Sequence, residues 1–392
     1  MKGITMTVGP TNADIGGSDN RSLQAAVDYV AALGGGAVSV LPGTYLMRDS
    51  LHLRSRVHVL GSGRDTMLRK SDAVSSLLYL DGDYGEEAIT PANAEGFEPG
   101  FGVTIADDKN HGFHITVATI LAKDGTTLTI SRPLNGDYMV ADNAVAFTSF
   151  PVISGCYVEG AALENLAVDG NREHNPPLNG CRGAGIFLYR AQGCAIRDCL
   201  VRDYNGDGIS FQQSNDTLVE HCEVSGCTHL GLHPGSGSQR PTIRDCYSHG
   251  NGQTGLFLCW RVKHGLFERN RLENNGEVGI SIGHKDTDNL FRNCLAARNG
   301  QYGLYFRDES EPMAGHRNTF EDCRFLGNAS AGVRVEGATR DITLRRCLIG
   351  DGEDGVQPAG LSIGAQAGDV LLESVCFQGN DRDVVDERGG QA

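Results

Sequence analysis

The sequence predicts an all-β solenoid built from short coils that stack on one another, and three observations carry that prediction. Glycines open the second half of a repeating unit at Gly208, Gly231, Gly255, Gly279 and Gly303, in steps of 23, 24, 24 and 24 residues. A second column, Cys199, Cys222, Cys246, Asn270 and Cys294, keeps the same step. Inside each unit apolar residues alternate in runs too short for a helix, as at Ile209 and Phe211 or Ile280 and Ile282. A fixed period in this range marks units that bury their faces only against their neighbours. Short strands that turn back over their predecessors make a single-stranded right-handed parallel β-helix, with coils about 4.8 Å apart. Glycine and asparagine are expected at the corners, because they take left-handed backbone angles cheaply.

Residues 1–81 read as an N-terminal cap followed by the first coils. A helix is expected over 18–32, where Leu23, Ala26, Val27 and Val30 recur at helical spacing. Ser18, Asp19 or Asn20 can cap it, and Gly34-Gly35-Gly36 ends it. Such a helix covers the open end of a solenoid, where strand edges are otherwise unpaired. Residues 82–150 break the coil rhythm and read as a small inserted β element. There His114–Ile120 and Thr126–Ile130 flank a turn at Lys123-Asp124-Gly125. The main coils resume over 151–380, and 381–392 reads as a polar tail that frays.

Four N-terminal stretches carry a resemblance: Leu23-Gln24-Ala25-Ala26, Gly34-Gly35-Gly36, Leu41-Pro42-Gly43-Thr44-Tyr45 and Leu60-Gly61-Ser62-Gly63. They resemble the cap and first coils of the pectate-lyase-like superfamily, and the resemblance continues to about residue 380. It implies a parallel β-helix that acts on a polysaccharide or oligosaccharide. That superfamily includes lyases, hydrolases, epimerases and tailspikes, so the fold does not choose the reaction.

Charge and composition narrow the partners. A net charge of −15 argues against a nucleic-acid or anionic-membrane surface. No run of about 18 apolar residues marks a membrane span. Without a hydrophobic signal core after Met1, the expected location is cytoplasmic, or outside the cytoplasm if a leader was removed. The 12 cysteines lack C-x₂-C spacing, and the column members are expected to be buried free thiols rather than disulfides or metal ligands. The oligomeric state is not legible.

Chemistry is expected on the outward positions that follow the glycine column. Coil by coil these read Gln212, with Asp207 just before the strand, then His233, Trp260-Arg261, His284-Lys285-Asp286, Tyr305 and Arg307-Asp308-Glu309. Four coil steps span roughly 19 Å, room for a few sugar rings. An aromatic for stacking, cations for carboxylates and ionisable groups for proton transfer are the parts of a glycan groove.

The favoured reaction is proton abstraction on a uronic-acid polymer, by a lyase or an epimerase. Lys285 or His284 is the candidate base, His233 the acid, and Arg261 or Arg307 the carboxylate clamp. Asp286 and Asp308 complete the catalytic set, and Trp260, Tyr305, Gln212, Asp207 and Glu309 the binding set.

A hydrolase with a carboxylate pair is the alternative. Asn205-Gly206-Asp207-Gly208-Ile209 resembles a polygalacturonase segment, but Thr228-His229 and Val278 depart from that family's pattern. A glycan-binding or structural solenoid is the third reading. No metal-ligand set is expected. The resemblance leaves calcium open as a bridge to a substrate carboxylate, although the acidic candidates sit beside Lys and Arg.

Overall fold

The computed structural model describes residues 3–352 and 357–389. They form two compact units, one of residues 1–156, 164–187 and 201–210, the other of 157–163, 188–200 and 211–392.

The first unit carries the helix, Asn20–Ala32. Asp19 caps it by accepting the Ser22 N–H at 3.1 Å, and Ser22 Oγ accepts the Asp19 N–H in return. Its face of Leu23, Ala26, Val27 and Val30 is fully buried. Parallel strands follow, with Ile4–Gly9 pairing with Gly36–Val40 and that strand with Val57–Lys70. Lys70 ends this run wholly buried, its Nζ donating to Ser149 Oγ at 2.6 Å and Asn205 Oδ1 at 2.8 Å. Burial pushes its amine well below the usual lysine range.

The segment read as an insertion is a six-stranded antiparallel sheet with its own core around Phe97, Ile105, Ile120, Leu128 and Tyr138. It begins earlier than residue 82, because Ser75–Leu77 pairs with Val145–Phe147. Its hairpin turns at Gly125, which has φ +57.

The second unit is a stack of parallel coils. One sheet aligns Leu218, Thr242, Leu266, Leu290, Thr319 and Thr343 in register. Another runs through Thr254–Phe257, Val278–Ile282, Tyr302–Phe306, Ala331–Val335 and Ala359–Ile363. Inside, Phe267, Phe291 and Phe320 stack with centroids 4.5 Å apart. All twelve cysteines are free, and Cys199, Cys222, Cys246, Cys294, Cys323 and Cys347 are buried. Their thiols turn to carbonyls two residues back, as Cys246 does to Arg244 O at 3.2 Å.

Two details correct the sequence reading. Gly231, Gly255, Gly279 and Gly303 do not have positive φ. They are glycines because a Cβ would strike the carbonyl of the next coil, at 3.0 Å for Gly255 and 2.6 Å for Gly279. The left-handed corners before the cysteine column fall instead on Asp198, His221, Asp245, Arg269, Asn293, Asp322 and Arg346, with φ from 51 to 56. The tail is also more ordered than expected: Arg382–Asp386 pairs with Ala359–Ile363, so coils pass residue 380. Residues 390–392 lie outside the described residues.

A further column escaped the sequence reading although its first steps are also of 24 residues. Asn275 Oδ1 accepts the backbone and side-chain N–H groups of Asn251 at 3.3 and 3.0 Å. Asn299, Asn328 and Gln357 repeat the arrangement coil by coil. This ladder satisfies backbone groups that the turns would otherwise bury unpaired.

Candidate active site

Two adjacent corners of the second unit make the site. The strands Thr254–Phe257 and Val278–Ile282 each lead into a pair of left-handed residues, Trp260-Arg261 and His284-Lys285. The Arg261 N–H donates to His284 O at 2.9 Å, which holds the pairs in register. Trp260 therefore lies against His284, centroids 5.4 Å apart, and Arg261 occupies the same column position as Lys285. Trp260 is 44% exposed, and the Arg261 guanidinium sits 5.7 Å from its ring.

Beneath the corners lies Arg307. Its guanidinium is 4.3 Å from the Phe257 centroid and donates to Ser281 Oγ and Leu258 O, both at 2.8 Å. Nη2 stands 3.4 Å from both Asp286 Oδ2 and His284 Nδ1. Gly283 is required below it, since a Cβ there would come within 2.7 Å of Arg307 Nε. That Nε has no hydrogen-bond partner among the described residues. Burial lowers the Arg307 pKa, and the Asp286 charge opposes the shift.

The two ionisable neighbours of Arg307 differ. Asp286 is fully buried, accepting the Val262 N–H at 2.8 Å and the Gly283 N–H at 3.3 Å. Burial pushes its carboxyl up to about 7, against the pull of Arg307 and those N–H groups. Burial and then the Arg307 charge push His284 down to about 4. Glu309 acts the other way on that ring, its Oε1 lying 2.7 Å from Nε2. The downward direction stands because the ring is half-shielded and Arg307 faces Nδ1. A neutral imidazole then donates Nε2–H to Glu309, while its Nδ1 lone pair accepts the long contact from Arg307 Nη2 at 3.4 Å.

Trp260, Arg261, His284, Lys285, Arg307 and Glu309 are thus brought together as expected from their columns. Four other candidates are not available to a ligand. Asp286 holds a turn from inside, and Gln212 is fully buried. His233 is 4% exposed, with its ring edge on Phe257 at 5.5 Å. Asp207 belongs to the first unit, buried, where its charge adds to the burial that pushes the Cys181 thiol up to about 12.

Tyr305 donates to Glu336 Oε2 at 2.6 Å and joins the ion pairs of Arg334 instead. Asp308 is exposed and makes no side-chain hydrogen bond among the described residues. Phe257, Ser281 and Cys259 lie on the same outward strip, but the sequence does not show that Phe257, Ser281 and Gly283 bed Arg307 or that Cys259 Sγ lies 3.9 Å from His284 Nδ1.

The charge pattern separates these corners from their surroundings. Along the coils from Arg197 to Arg346 most cations face a carboxylate, as Arg240 faces Asp216 and Arg269 faces Asp245. Among the described residues Arg261, Lys263, Lys285 and Arg324 face none within 4.0 Å. No group of three His, Cys, Asp or Glu side chains converges on a metal position among the described residues.

The family described as right handed beta helix region matches residues 184–349, and the periplasmic copper-binding protein (NosD) family matches 105–247. The mannuronan C5-epimerases AlgE5 and AlgE2 of Azotobacter vinelandii are each 30% identical, over 131 and 122 residues. Those regions are 33% and 31% of this chain but only 13% and 12% of the relatives, so the chain spans a small part of their length.

Among solved structures, the A-module of A. vinelandii AlgE6 aligns over 93% of this chain and 91% of its own, with TM-score 0.63 and 15% identity. An exopolygalacturonase from Thermotoga maritima aligns over 93% and 90%, with TM-score 0.58 and 13% identity. The chain is a right-handed parallel β-helix with the pectate-lyase-like fold. Whereas the description of the second family names copper, the column thiols here are buried and turned to backbone carbonyls.

Proposed function

We propose that the chain acts on a uronic-acid polysaccharide by removing the proton next to the sugar carboxylate. The observation that carries this reading is the Arg261–Lys285 column, two stacked cations without a counter-charge beside the exposed Trp260. In a chain of net charge −15, such a pair suits an anionic ligand. Arg261 and Lys285 hold the carboxylate, and Trp260 stacks on the sugar ring.

His284 Nδ1 then takes the C5 proton, and Glu309 stabilises the resulting imidazolium through Nε2–H. The electron pair left on C5 spreads into the carboxylate, where the two cations neutralise it. Return of a proton to the opposite face gives the C5 epimer. Loss of the C4 oxygen, protonated by the Lys285 ammonium, gives the unsaturated sugar. The 30% identity to two mannuronan C5-epimerases over a third of the chain favours the epimerase outcome.

Incubation with polymannuronate and polygalacturonate in deuterated water tests the reading. Deuterium at C5 is expected where a proton returns, and ultraviolet absorbance from a new C4–C5 double bond where the C4 oxygen leaves. New reducing ends without either signal would transfer the site to the carboxylate-pair hydrolases.

A further inference from the structure

The geometry points to Cys259 as an activated thiol, the site at which a hydroperoxide oxidises this protein. Cys259 differs from the column cysteines in its exposure and in the histidine beside its sulfur. Those are buried and turn their sulfur to a carbonyl, as Cys199 does to Arg197 O at 3.1 Å and Cys222 to Glu220 O at 3.3 Å. Burial pushes the Cys222 thiol well above the usual range, which makes it inert. Cys259 is partly exposed, and its sulfur lies 3.9 Å from His284 Nδ1. The other ring nitrogen is 2.7 Å from Glu309 Oε1.

Thiol, imidazole and carboxylate therefore follow one another as nucleophile, base and orienting group. Arg307 Nη2 stands 3.4 Å from the same Nδ1. Arg261 adds a cation on the same corner, while Asp286 lies behind Arg307 and Glu309 behind His284.

The step balances with the peroxide as oxidant. The Cys259 sulfur attacks the outer peroxide oxygen, the S–O bond forms and the O–O bond breaks. The thiol proton, taken up by His284 Nδ1, passes to the departing alkoxide as alcohol. Sulfur loses two electrons, and the product is a sulfenic acid facing His284 and Arg307. This chemistry does not depend on the glycan reading. If that reading also holds, oxidation occupies the nitrogen that takes the substrate proton and silences the site.

The native full chain, treated with limiting hydrogen peroxide and a 1,3-dione trap, reports the adducts by peptide mass spectrometry. Cys376, exposed and distant in sequence, is the internal reference. Cys259 is expected to carry at least about tenfold more adduct than Cys376, and His284→Ala to lower it about tenfold with Cys376 unchanged. Equal trapping of the two cysteines in the wild-type chain would overturn the inference, whether or not the variant folds. So would unaltered Cys259 trapping in a folded His284→Ala protein.

Discussion

Two sets of corners in the second unit use the same left-handed backbone and opposite charge logic. At Asp216, Arg240, Asp288 and Arg317, φ lies between 52 and 62, and each arginine is bidentate to the aspartate of a neighbouring coil. At Trp260-Arg261 and His284-Lys285, φ lies between 48 and 67, yet cation follows cation. In the first set acid and base pair between coils, Asp216 with Arg240 and Asp288 with Arg317, so the charges cancel. In the second set the charge stays open and awaits a ligand. A repeat lays down the geometry, and the sign of successive side chains decides whether a column ties coils together or binds something.

The largest effect is expected below the open column. Arg307→Ala leaves the buried Asp286 carboxyl without its cation and removes the prop of His284. Unfolding by denaturant should show a loss of about 3–5 kcal/mol, greatest where Asp286 is ionised. Turnover should fall more than about tenfold. Because Arg307 is mostly buried, its removal weakens the fold as well as the site, although its position in the strand pattern reads as outward.

Next come the open cations themselves. Lys285→Ala and Arg261→Ala should each cost about tenfold or more in turnover on a uronate polymer, with the melting temperature nearly unchanged. Lys285→Glu sharpens the contrast, since it restores alternation by setting a carboxylate against Arg261. It should abolish uronate turnover while holding or raising the melting temperature. Arg334→Ala, which removes pairs to Glu336 and Glu387, should do the reverse and lower stability more than turnover.

A smaller effect appears with pH. His284 is lowered from 6.5 to about 4, so its contribution to stability is full above 6.5 and is lost as pH falls through about 4. Asp286 is raised from 3.8 to about 7, so its contribution is full below 3.8 and is lost as pH rises through about 7. The two oppose each other across this window. Denaturant titrations of His284→Ala should uncover a steady loss of stability from about pH 4 to about pH 7. Turnover by the wild type should fall as pH drops through about 4, when the imidazole is already protonated.

The smallest effect belongs to the closed corners. Asp216→Ala breaks exposed pairs with Arg240, and differential scanning calorimetry should find little change in melting temperature. A large loss there would mean that the ladder, and not the buried columns, holds the coils together.

The solenoid, the capping helix and the columns are legible in the order of residues alone. Glycines and cysteines at a 24-residue step leave few other ways to bury a short alternating strand. That order also shows that Trp260-Arg261 and His284-Lys285 share a column, because register follows from the step alone. Only the tertiary structure decided which outward side chains meet solvent. Alternation states the face by which a side chain leaves its strand, and it says nothing of what lies on that face. Arg307 lies across Phe257 and Ser281, residues 50 and 26 positions earlier, and encloses Asp286. His233 is shut in against Phe257 in the same way, one coil on. The pairing of Cys259 with His284 and the carbonyl contacts that demand glycine are likewise distances between coils, set by packing and carried by no local pattern.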